Sequence, residues 1–302
     1  MISITNSARS SFLDCQKKYF WEYVRRWSPL KEPYYFLWGR FIHELLGTLY
    51  TFGDLQGLAK AFQGIETQRE VLLKTGLYTP EEIEATCVTA KGCLSGYFLR
   101  WREADKQYEG LDVERVFTLP LSEDVVFKGR LDRAVRDLSD GAIVLQEHKT
   151  AAALSPGYWD SLVFDTQNKG YLLGLQHAIG HADCRKVIYD VLVKPNFKRK
   201  VGESLYALAE RTADAYIRDR NMLFVRKPIE YRTEQIENYR YELEQLAETL
   251  RWHYQEGIWL PHHTKLTRCA FSPLCAEGED SWARRRFRIR AEIHPELVGV
   301  GE

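Results

Sequence analysis

The chain has 302 residues, of which 45% are hydrophobic and 28% are charged. This composition excludes collagen-like, mucin-like and wholly disordered chains, and it is sufficient for a substantial core. Lys plus Arg and Asp plus Glu number 42 each, so any anionic partner must be met by a local basic patch. No apolar run reaches the roughly 18 residues of a membrane span, and the N-terminus lacks the pattern of a signal peptide. We therefore expect a cytoplasmic protein with no membrane partner.

The first third of the chain is dominated by apolar residues at helical spacing. This spacing predicts a helix over 7–24, a break at Ser28-Pro29, and a second helix over 36–50. A third helix is predicted over 80–108, because Thr79-Pro80-Glu81-Glu82 is a typical helix start. Residues 1–110 are therefore expected to form a helical N-terminal part.

The apolar period changes in the middle of the chain. Residues 113–121 and 125–136 alternate between apolar and polar, and Ser122-Glu123-Asp124 between them is typical of a hairpin turn. Residues 142–148 form a further short apolar strand. These three segments predict an antiparallel meander.

A helix over 165–179 and a strand over 186–193 follow the meander. A strand, a helix and a strand in one sheet imply a right-handed crossover. The core sheet is therefore expected over about 113–195. Residues 204–252 are long, charged and predicted to be helical, and the tail from Pro261 is irregular. We expect a single domain over 1–302 of mixed α/β class, with 204–302 as a helical C-terminal part.

Chemistry is concentrated on two neighbouring strands of the meander. Lys128-Gly-Arg-Leu-Asp132 lies on one strand and Glu147-His-Lys149 on the next, with Glu147 and Lys149 on the same face. Two carboxylates and a backbone carbonyl suffice for Mg²⁺, which keeps several waters. A lysine beside them can orient or deprotonate an attacking water. The alternative is an Asp132–Lys149 cross-strand ion pair of little energetic weight.

Two further segments surround this pair of strands. Gly39-Arg-Phe-Ile-His43 places a histidine on an upstream helix, where histidines more often have a structural role. Gln167 and Tyr171 are four residues apart and share a helix face after the last strand of the meander. Both side chains can hydrogen-bond a phosphate or a base, and both could also be packed amphipathic residues.

These four segments, in this order, resemble the RecB-type exonuclease branch of the PD-(D/E)xK nuclease superfamily, similar to CRISPR-associated and phage RecB-like nucleases. The first helix, with Ser7, Phe12 and Cys15, and the strand segment Tyr189-Asp-Val-Leu-Val-Lys194-Pro195 are also similar to that branch. The resemblance implies a restriction-endonuclease-like α-β-β-β-α-β core, in which a central mixed sheet is flanked by helices.

The resemblance also implies roles for individual residues. Asp132 and Glu147 would be metal ligands, with the backbone carbonyl of His148 as a third. His43 would supply a nitrogen ligand, which admits Mn²⁺ beside Mg²⁺. Lys149 would be the catalytic lysine. The remaining residues are implied to be DNA-positioning groups, Gln167 and Tyr171, and an additional acid, Glu114.

By the same resemblance, the protein would be a metal-dependent deoxyribonuclease that acts on DNA ends or single strands. The chain has no Walker lysine motif and no helicase segment. It would therefore be a free-standing nuclease, or a nuclease subunit with a helicase, recombination or CRISPR-adaptation partner in DNA repair, recombination or phage DNA processing. The alternatives are an inactive DNA-binding module with this fold and an iron–sulfur or zinc-stapled structural subunit.

Six cysteines are scattered along the chain, and Cys87, Cys93 and Cys184 are expected to be small buried residues. RecB-type nucleases with a 4Fe–4S cluster hold it with one N-terminal and three C-terminal cysteines. Cys15 matches the first of these, and Cys269 and Cys275 match the last pair. Leu266 stands where the remaining cysteine is expected, and His262 or His263 could substitute for it. A decayed, metal-free site and a Cys₃His zinc site remain alternatives.

Two local basic clusters exist despite the zero net charge. One covers residues 194–200, and the other covers 284–290, with Trp282 and Phe287 interleaved. Cations with aromatic residues suit a single-stranded nucleic acid with stacked bases. A solvated face or a flexible tail is the alternative interpretation.

Overall fold

The computed structural model describes residues 1–30, 34–180, 183–262, 269–279 and 285–298. The strands are β1 (Ile2–Ile4), β2 (Trp27–Pro29), β3 (Tyr108–Pro120), β4 (Val125–Asp137), β5 (Ile143–Ala151), β6 (Lys186–Val193), β7 (Phe224–Glu230) and β8 (Phe287–Ile289). The helices are α1 (Asn6–Asp14), α2 (Gln16–Tyr19), α3 (Tyr34–Phe52), α4 (Asp54–Thr75), α5 (Pro80–Trp101), α6 (Tyr158–Ser161), α7 (Thr166–Ile179), α8 (Leu205–Arg218), α9 (Arg220–Leu223), α10 (Thr233–Glu256) and α11 (Ser272–Glu277).

The central sheet contains the predicted meander of β3, β4 and β5, with antiparallel pairing throughout. Its first turn is closed by the backbone N–H of Ser122, which donates to the carbonyl of Val125 at 3.1 Å. β6 pairs with β5 in parallel, and β7 closes that side in an antiparallel pairing with β6. The mixed α/β class and the strand–helix–strand crossover through α7 are therefore confirmed, while β2 and β8 form a separate small sheet.

One edge of β4 is shared by two strands, and this opens the sheet. β1 pairs in parallel with residues 125–127, and β5 pairs with residues 133–136. The residues between them, up to Asp132, have no strand partner on that edge within the described ranges. β4 and β5 consequently part at Asp132 and Glu147, directly after the pair of Arg133 with Gln146.

Helices cover both faces of the sheet, and alternation along the strands decides which side chains meet them. One face packs against α1, α7 and α10, in a core that includes Phe127, Leu145 and Tyr189. The other packs against α3, α4 and α5, where Leu46 and Leu192 are buried. Full burial of one such side chain contributes about 1.5–3 kcal/mol. Both faces of β5 and β6 are thus held against helices.

The N-terminus of α7 is fixed by its first residues. The Asp165 carboxylate accepts hydrogen bonds from the backbone N–H of Gln167 at 2.7 Å and of Asn168 at 3.3 Å. Such caps stabilise a helix by about 0.5–2 kcal/mol. The helix ends at Gly180, whose φ of +69° is in the left-handed region that glycine adopts without a steric penalty. Gln167 is therefore held in the first turn of a well-defined helix.

Several predicted elements need correction. The helix predicted over 7–24 is broken at Cys15, where the backbone is extended between α1 and α2. The third helix ends at Trp101 rather than near 108, and neither α4 nor β1 was predicted. The continuous helical region over 204–252 is wrong, because β7 lies within it. β7 pairs only with β6 among the described residues, so Pro228 is tolerated at this edge.

The sheet also extends beyond the expected limits of 113–195, since β1 and β7 belong to it. Cys87, Cys93 and Cys184 are buried, as predicted. Among the described helices, none combines the length and the apolar character needed to span a bilayer.

Candidate active site

The opening between β4 and β5 is occupied by the Asp132 carboxylate. Its Oδ2 accepts a hydrogen bond from the backbone N–H of His148 at 2.8 Å, and its Oδ1 lies 3.3 Å from His43 Nδ1 on α3. Burial alone would raise the pKa of Asp132. Electrostatic attraction by His43 and hydrogen bonding with His148 outweigh burial and hold that pKa well below its usual range. Asp132 is therefore held as a carboxylate where one helix and two strands meet.

Glu147 lies on the face of β5 that packs against α7, and it is fully buried. Its Oε1 accepts hydrogen bonds from Lys149 Nζ and from Gln167 Nε2, each at 2.8 Å. Lys149 Nζ also donates to Gln167 Oε1 at 2.7 Å, and Gln167 Nε2 donates to the Tyr171 hydroxyl at 3.1 Å. Glu147, Lys149, Gln167 and Tyr171 thus form one hydrogen-bonded cluster. The alternative ion pair of Lys149 with Asp132 is not formed, because the partner of Lys149 is Glu147.

The charges of this cluster depend on one another. Burial raises the pKa of Glu147 to about 7, and the nearby Asp132 carboxylate adds to the shift. Burial would lower the pKa of Lys149, but the negative charge of Glu147 outweighs it and the net shift is upward. Lys149 is therefore held as a cation beside Glu147. The Glu147 carboxyl group is easily protonated when no cation other than Lys149 is near.

The second oxygen of Glu147 tests whether a divalent cation fits here. Glu147 Oε2 is buried and accepts no hydrogen bond from the part of the chain that the structure describes, which is costly for a carboxylate. The neighbouring Asp132 carboxylate and His43 ring nitrogen are metal-ligand groups that suit Mg²⁺ or Mn²⁺. Within the described residues, no group of three His, Cys, Asp or Glu side chains is arranged to hold a metal ion. Mg²⁺ does not require three such side chains, because it keeps several waters and accepts a backbone carbonyl, so the Asp132 and Glu147 carboxylates fit such an ion.

Glu114 approaches the same opening from β3. Its backbone φ is +51°, a left-handed conformation that is unusual for a glutamate within a strand and costs about 1–3 kcal/mol. Gly47 on α3 makes room for it, since a Cβ at that position would lie 2.8 Å from Glu114 Cγ. Arg130 Nε binds Glu114 Oε2 at 2.9 Å, while burial raises the pKa of Glu114 to about 7. Gly47 was not predicted, although a glycine inside a helix is a recognisable signal.

A second polar cluster lies on the opposite face of β5 and was also not predicted. The His148 ring stacks on Tyr50, with 5.6 Å between ring centroids, and its Nε2 is 3.3 Å from the Tyr97 hydroxyl. That hydroxyl donates to Asp190 Oδ2 at 2.6 Å. Arg226 NH2 binds the same oxygen at 2.6 Å. We call His148, Tyr50, Tyr97, Asp190 and Arg226 the charged row.

The register of the sheet explains the charged row. His148 on β5 pairs with Asp190 on β6, and Asp190 pairs with Arg226 on β7. The three side chains therefore point to the same face in neighbouring strands. An aspartate in an otherwise apolar strand is rare, and that was the one local signal in the sequence.

Gly129 explains part of the Lys128–Asp132 motif. A Cβ there would lie 2.6 Å from the Phe117 ring and 2.7 Å from the Tyr171 ring. The position must therefore lack a side chain for Tyr171 to reach the cluster. Gly39, by contrast, has ordinary spacing, with Thr150 Oγ1 at 3.5 Å from the position of a Cβ.

The three cysteines of the expected cluster lie near a small apolar core. Cys269 and Cys275 pack against Trp21, Trp27, Phe271, Leu274 and Phe287. Trp21 Nε1 lies 3.3 Å from Cys275 Sγ, and the backbone N–H of His262 lies 3.2 Å from Cys15 Sγ. His263 and Leu266 lie outside the described residues. Among the described residues these cysteines form no group that could hold a metal, so an iron–sulfur or zinc centre is unsupported.

The two basic clusters differ in how exposed their described residues are. Lys194, Lys198, Arg199 and Lys200 are exposed in the segment after β6. In the second cluster, Phe287 is buried on β8, so it is not available for stacking with a base. Trp282 and Arg284 lie outside the described residues.

A mixed sheet flanked by helices, with two carboxylates and a lysine where its strands part, defines the restriction-endonuclease-like class of folds. The family model of the PD-(D/E)XK nuclease superfamily matches residues 3–276. The chain therefore belongs to the PD-(D/E)XK nuclease superfamily, with which the RecB-type branch is consistent. No curated protein matched the chain.

Proposed function

We propose that the protein is a metal-dependent deoxyribonuclease whose active site is formed by Asp132, Glu147 and Lys149. The observation that carries the proposal is the buried, unpartnered Oε2 of Glu147 in the opening that Asp132 shares. A protein does not bury an unsatisfied carboxylate oxygen without cost. If the site binds a cation during its reaction, that cation becomes the partner of Glu147 Oε2 and offsets the cost.

Asp132, Glu147, the His148 carbonyl and His43 would hold Mg²⁺ or Mn²⁺, which when bound polarises a phosphate and lowers the pKa of a water. His43 and the His148 N–H orient the Asp132 carboxylate. Lys149, one quarter exposed, presents its ammonium group at the opening, where it can orient the attacking water and offset charge on the phosphate.

Gln167 and Tyr171 have a supporting role in this proposal. Gln167 bonds both Glu147 and Lys149, so it fixes the distance between the two. Tyr171 holds the Gln167 amide through its hydroxyl. Both lie on the first turns of α7, where they can also contact the DNA beside the scissile phosphate. Glu114 is proposed as an additional acid that Arg130 holds at the rim.

An exonuclease of the RecB type, acting on ends or single strands, is our proposal for the substrate. The exposed cations over 194–200 support a strand that leaves the opening across the carboxyl ends of β5 and β6. A role in repair, recombination or phage DNA processing, with a helicase or CRISPR-adaptation partner, belongs to the same proposal. The six cysteines are free thiols, which agrees with the proposed cytoplasmic location.

The rival function is a DNA-binding module that has lost catalysis. The convergence of His43, Asp132, Glu147 and Lys149 on one opening argues against that rival, because the loss of any one would abolish the site.

Cleavage of end-labelled single- and double-stranded DNA in Mg²⁺, Mn²⁺ or EDTA tests the proposal. We expect metal-dependent cleavage that is lost in Glu147→Gln, which keeps the shape of the side chain and removes its charge. Glu237→Gln, an exposed acid on α10, is the matched control and should retain full activity. Folded wild-type protein that cleaves no DNA with either metal would favour the binding module.

A further inference from the structure

A cavity of about 280 Å³ lies outside the site described so far. It is enclosed by the start of α3, by α5 and α8, and by the segment that follows β6. Its walls include Trp38, Ala85, Thr89, Lys194, Phe197 and Leu208. Pockets for drug-sized ligands occupy about 300–1,000 Å³. This cavity is therefore sized for one small ring system rather than for an extended ligand.

The cavity lies near the carboxyl ends of β5 and β6, close to the candidate active site but on the side of the sheet that α3 and α5 cover. Trp38 precedes His43 by five residues on α3, about 7.5 Å along the helix axis. The backbone N–H of Lys194 donates to the carbonyl of Ala151 at 2.8 Å, and Ala151 lies two residues beyond Lys149. Both places thus adjoin the carboxyl ends of β5 and β6, where ligands of open α/β sheets commonly bind.

The lining suits a flat aromatic ligand with polar edges. Trp38 and Phe197 supply aromatic surface, and Leu208 supplies aliphatic surface. The Thr89 hydroxyl already donates to the Ala85 carbonyl at 2.8 Å and the Glu82 carboxylate caps α5 at Thr79, so each can offer the edge of a base only a further acceptor position. Because nucleobases combine a π face with polar edges, they match this mixture of walls.

The surroundings of the cavity suit a phosphate backbone. Lys194 is part of the lining, and Lys198, Arg199 and Lys200 continue the exposed basic segment. Arg211 covers one side of the Phe197 ring at 4.6 Å and is held by Glu203 at 2.9 Å. The aromatic wall is therefore fixed in place before any ligand arrives.

We propose that this cavity binds one unpaired nucleobase of the DNA strand whose phosphate lies at Lys149. The inference rests on the proposed function and deepens it, because it names the place where an unpaired base of the proposed substrate binds. A paired base is stacked in a duplex and cannot enter. The enzyme therefore requires an unpaired nucleotide beside the cleavage point, as single strands and frayed ends provide.

An abasic scan tests the proposal without catalysis. The Glu147→Gln protein is titrated in EDTA with labelled single-stranded oligonucleotides in which each position in turn lacks its base. We expect one position at which the missing base weakens binding about tenfold, as the loss of one stacked base does. Ala85→Leu, which fills the cavity, should weaken binding of the intact oligonucleotide similarly and remove its sensitivity to that position.

Ala59→Leu, on the exposed side of α4, is the matched control and should leave the scan unchanged. If no single position stands out, or if a folded Ala85→Leu protein keeps the full scan, the cavity does not bind a base. Should Ala85→Leu fail to fold, Phe197→Ala removes one aromatic wall from the same scan, and an unchanged scan overturns the proposal.

These readouts separate the two proposals. The position dependence of binding by the Glu147→Gln protein reports on the cavity, whereas cleavage by wild-type protein reports on the nuclease. If the scan identifies one position but the wild-type protein cleaves no DNA, the proposal for the cavity stands and the proposal of nuclease activity is wrong.

Discussion

The two faces of β5 carry polar clusters of different character. On the side of α7, Glu147 and Lys149 meet Gln167, and this cluster ends in an open position, with Glu147 Oε2 unpartnered and Lys149 one quarter exposed. On the other side, Asp190 Oδ1 also lacks a hydrogen-bond partner among the described residues, but Asp190 is fully buried and Arg226 is 8% exposed. The first cluster can exchange partners with a substrate, whereas the second is closed to one. His148, between Glu147 and Lys149 in the chain, belongs to the closed face and links it to Asp132.

This difference suggests a division of labour within one strand. The α7 face supplies the groups proposed for the reaction, and the charged row holds the backbone from which they project. Breaking the charged row should therefore reduce stability first, and breaking the α7 cluster should reduce activity first. Substitutions in each cluster test whether stability and activity separate in this way.

The largest effect is expected from Asp190→Asn. The substitution removes one of the two carboxylates that bind the buried Arg226 guanidinium and leaves Asp105 as the other, so we expect a loss at the lower end of the range of about 3–5 kcal/mol that a broken buried pair costs. Urea unfolding would measure this loss. Adding Arg226→Met together with Asp105→Asn removes the remaining charges and should restore much of the stability, because replacement of a whole buried ionic group is often neutral. A single variant as stable as wild type would mean that the charged row is not a structural brace.

Lys149→Met should instead affect cleavage more than stability, because Glu147, whose pKa is about 7, can take up a proton when the lysine is absent and keeps its hydrogen bond from Gln167. The methionine keeps the apolar stem and removes the ammonium group that we propose acts on the water and phosphate. Loss of one such stabilising group costs on the order of 10²–10³ in kcat. Single-turnover cleavage measures the rate, and urea unfolding of the same sample is the control. Equal turnover in variant and wild type would remove Lys149 from the mechanism.

Gly129→Ala should affect both properties. Its Cβ would lie 2.6 Å from the Phe117 ring and 2.7 Å from the Tyr171 ring, so one of these rings must move. Overpacking of this kind costs about 1–3 kcal/mol. Displacement of Tyr171 should also lower cleavage, because Gln167 loses the contact with its hydroxyl. Gly39→Ala is a comparison with ordinary spacing, and it should be milder in both assays.

The elements that could be predicted from the sequence are those whose interactions lie close together along the chain. The meander and α7 were predicted because their periods and turn residues are local, as Ser122–Asp124 shows. β7 was missed because its Arg226 is matched by Asp190, 36 residues earlier, and no local pattern reveals that pairing.

The residues of the candidate site likewise divide into those that a local pattern predicts and those that it does not. The Glu147-His-Lys149 motif could be read directly, since its chemistry lies within three residues. The approach of His43 to Asp132, across 89 residues, came only from the family resemblance. Glu114 was proposed by that route too, but its left-handed backbone and the space that Gly47 leaves for it depend on how α3 packs on β3.

The smallest expected effect distinguishes the two parts of Tyr50. Its hydroxyl donates to Asp105 at 2.9 Å, while its ring stacks on His148. Tyr50→Phe removes only the hydroxyl, so we expect a stability loss of about 0.5–1.5 kcal/mol and unchanged cleavage. Tyr50→Leu also removes the aromatic stack and should lower cleavage by loosening His148 beside Asp132. If both variants cleave like wild type under conditions in which both are folded, the closed face braces the sheet without positioning Asp132.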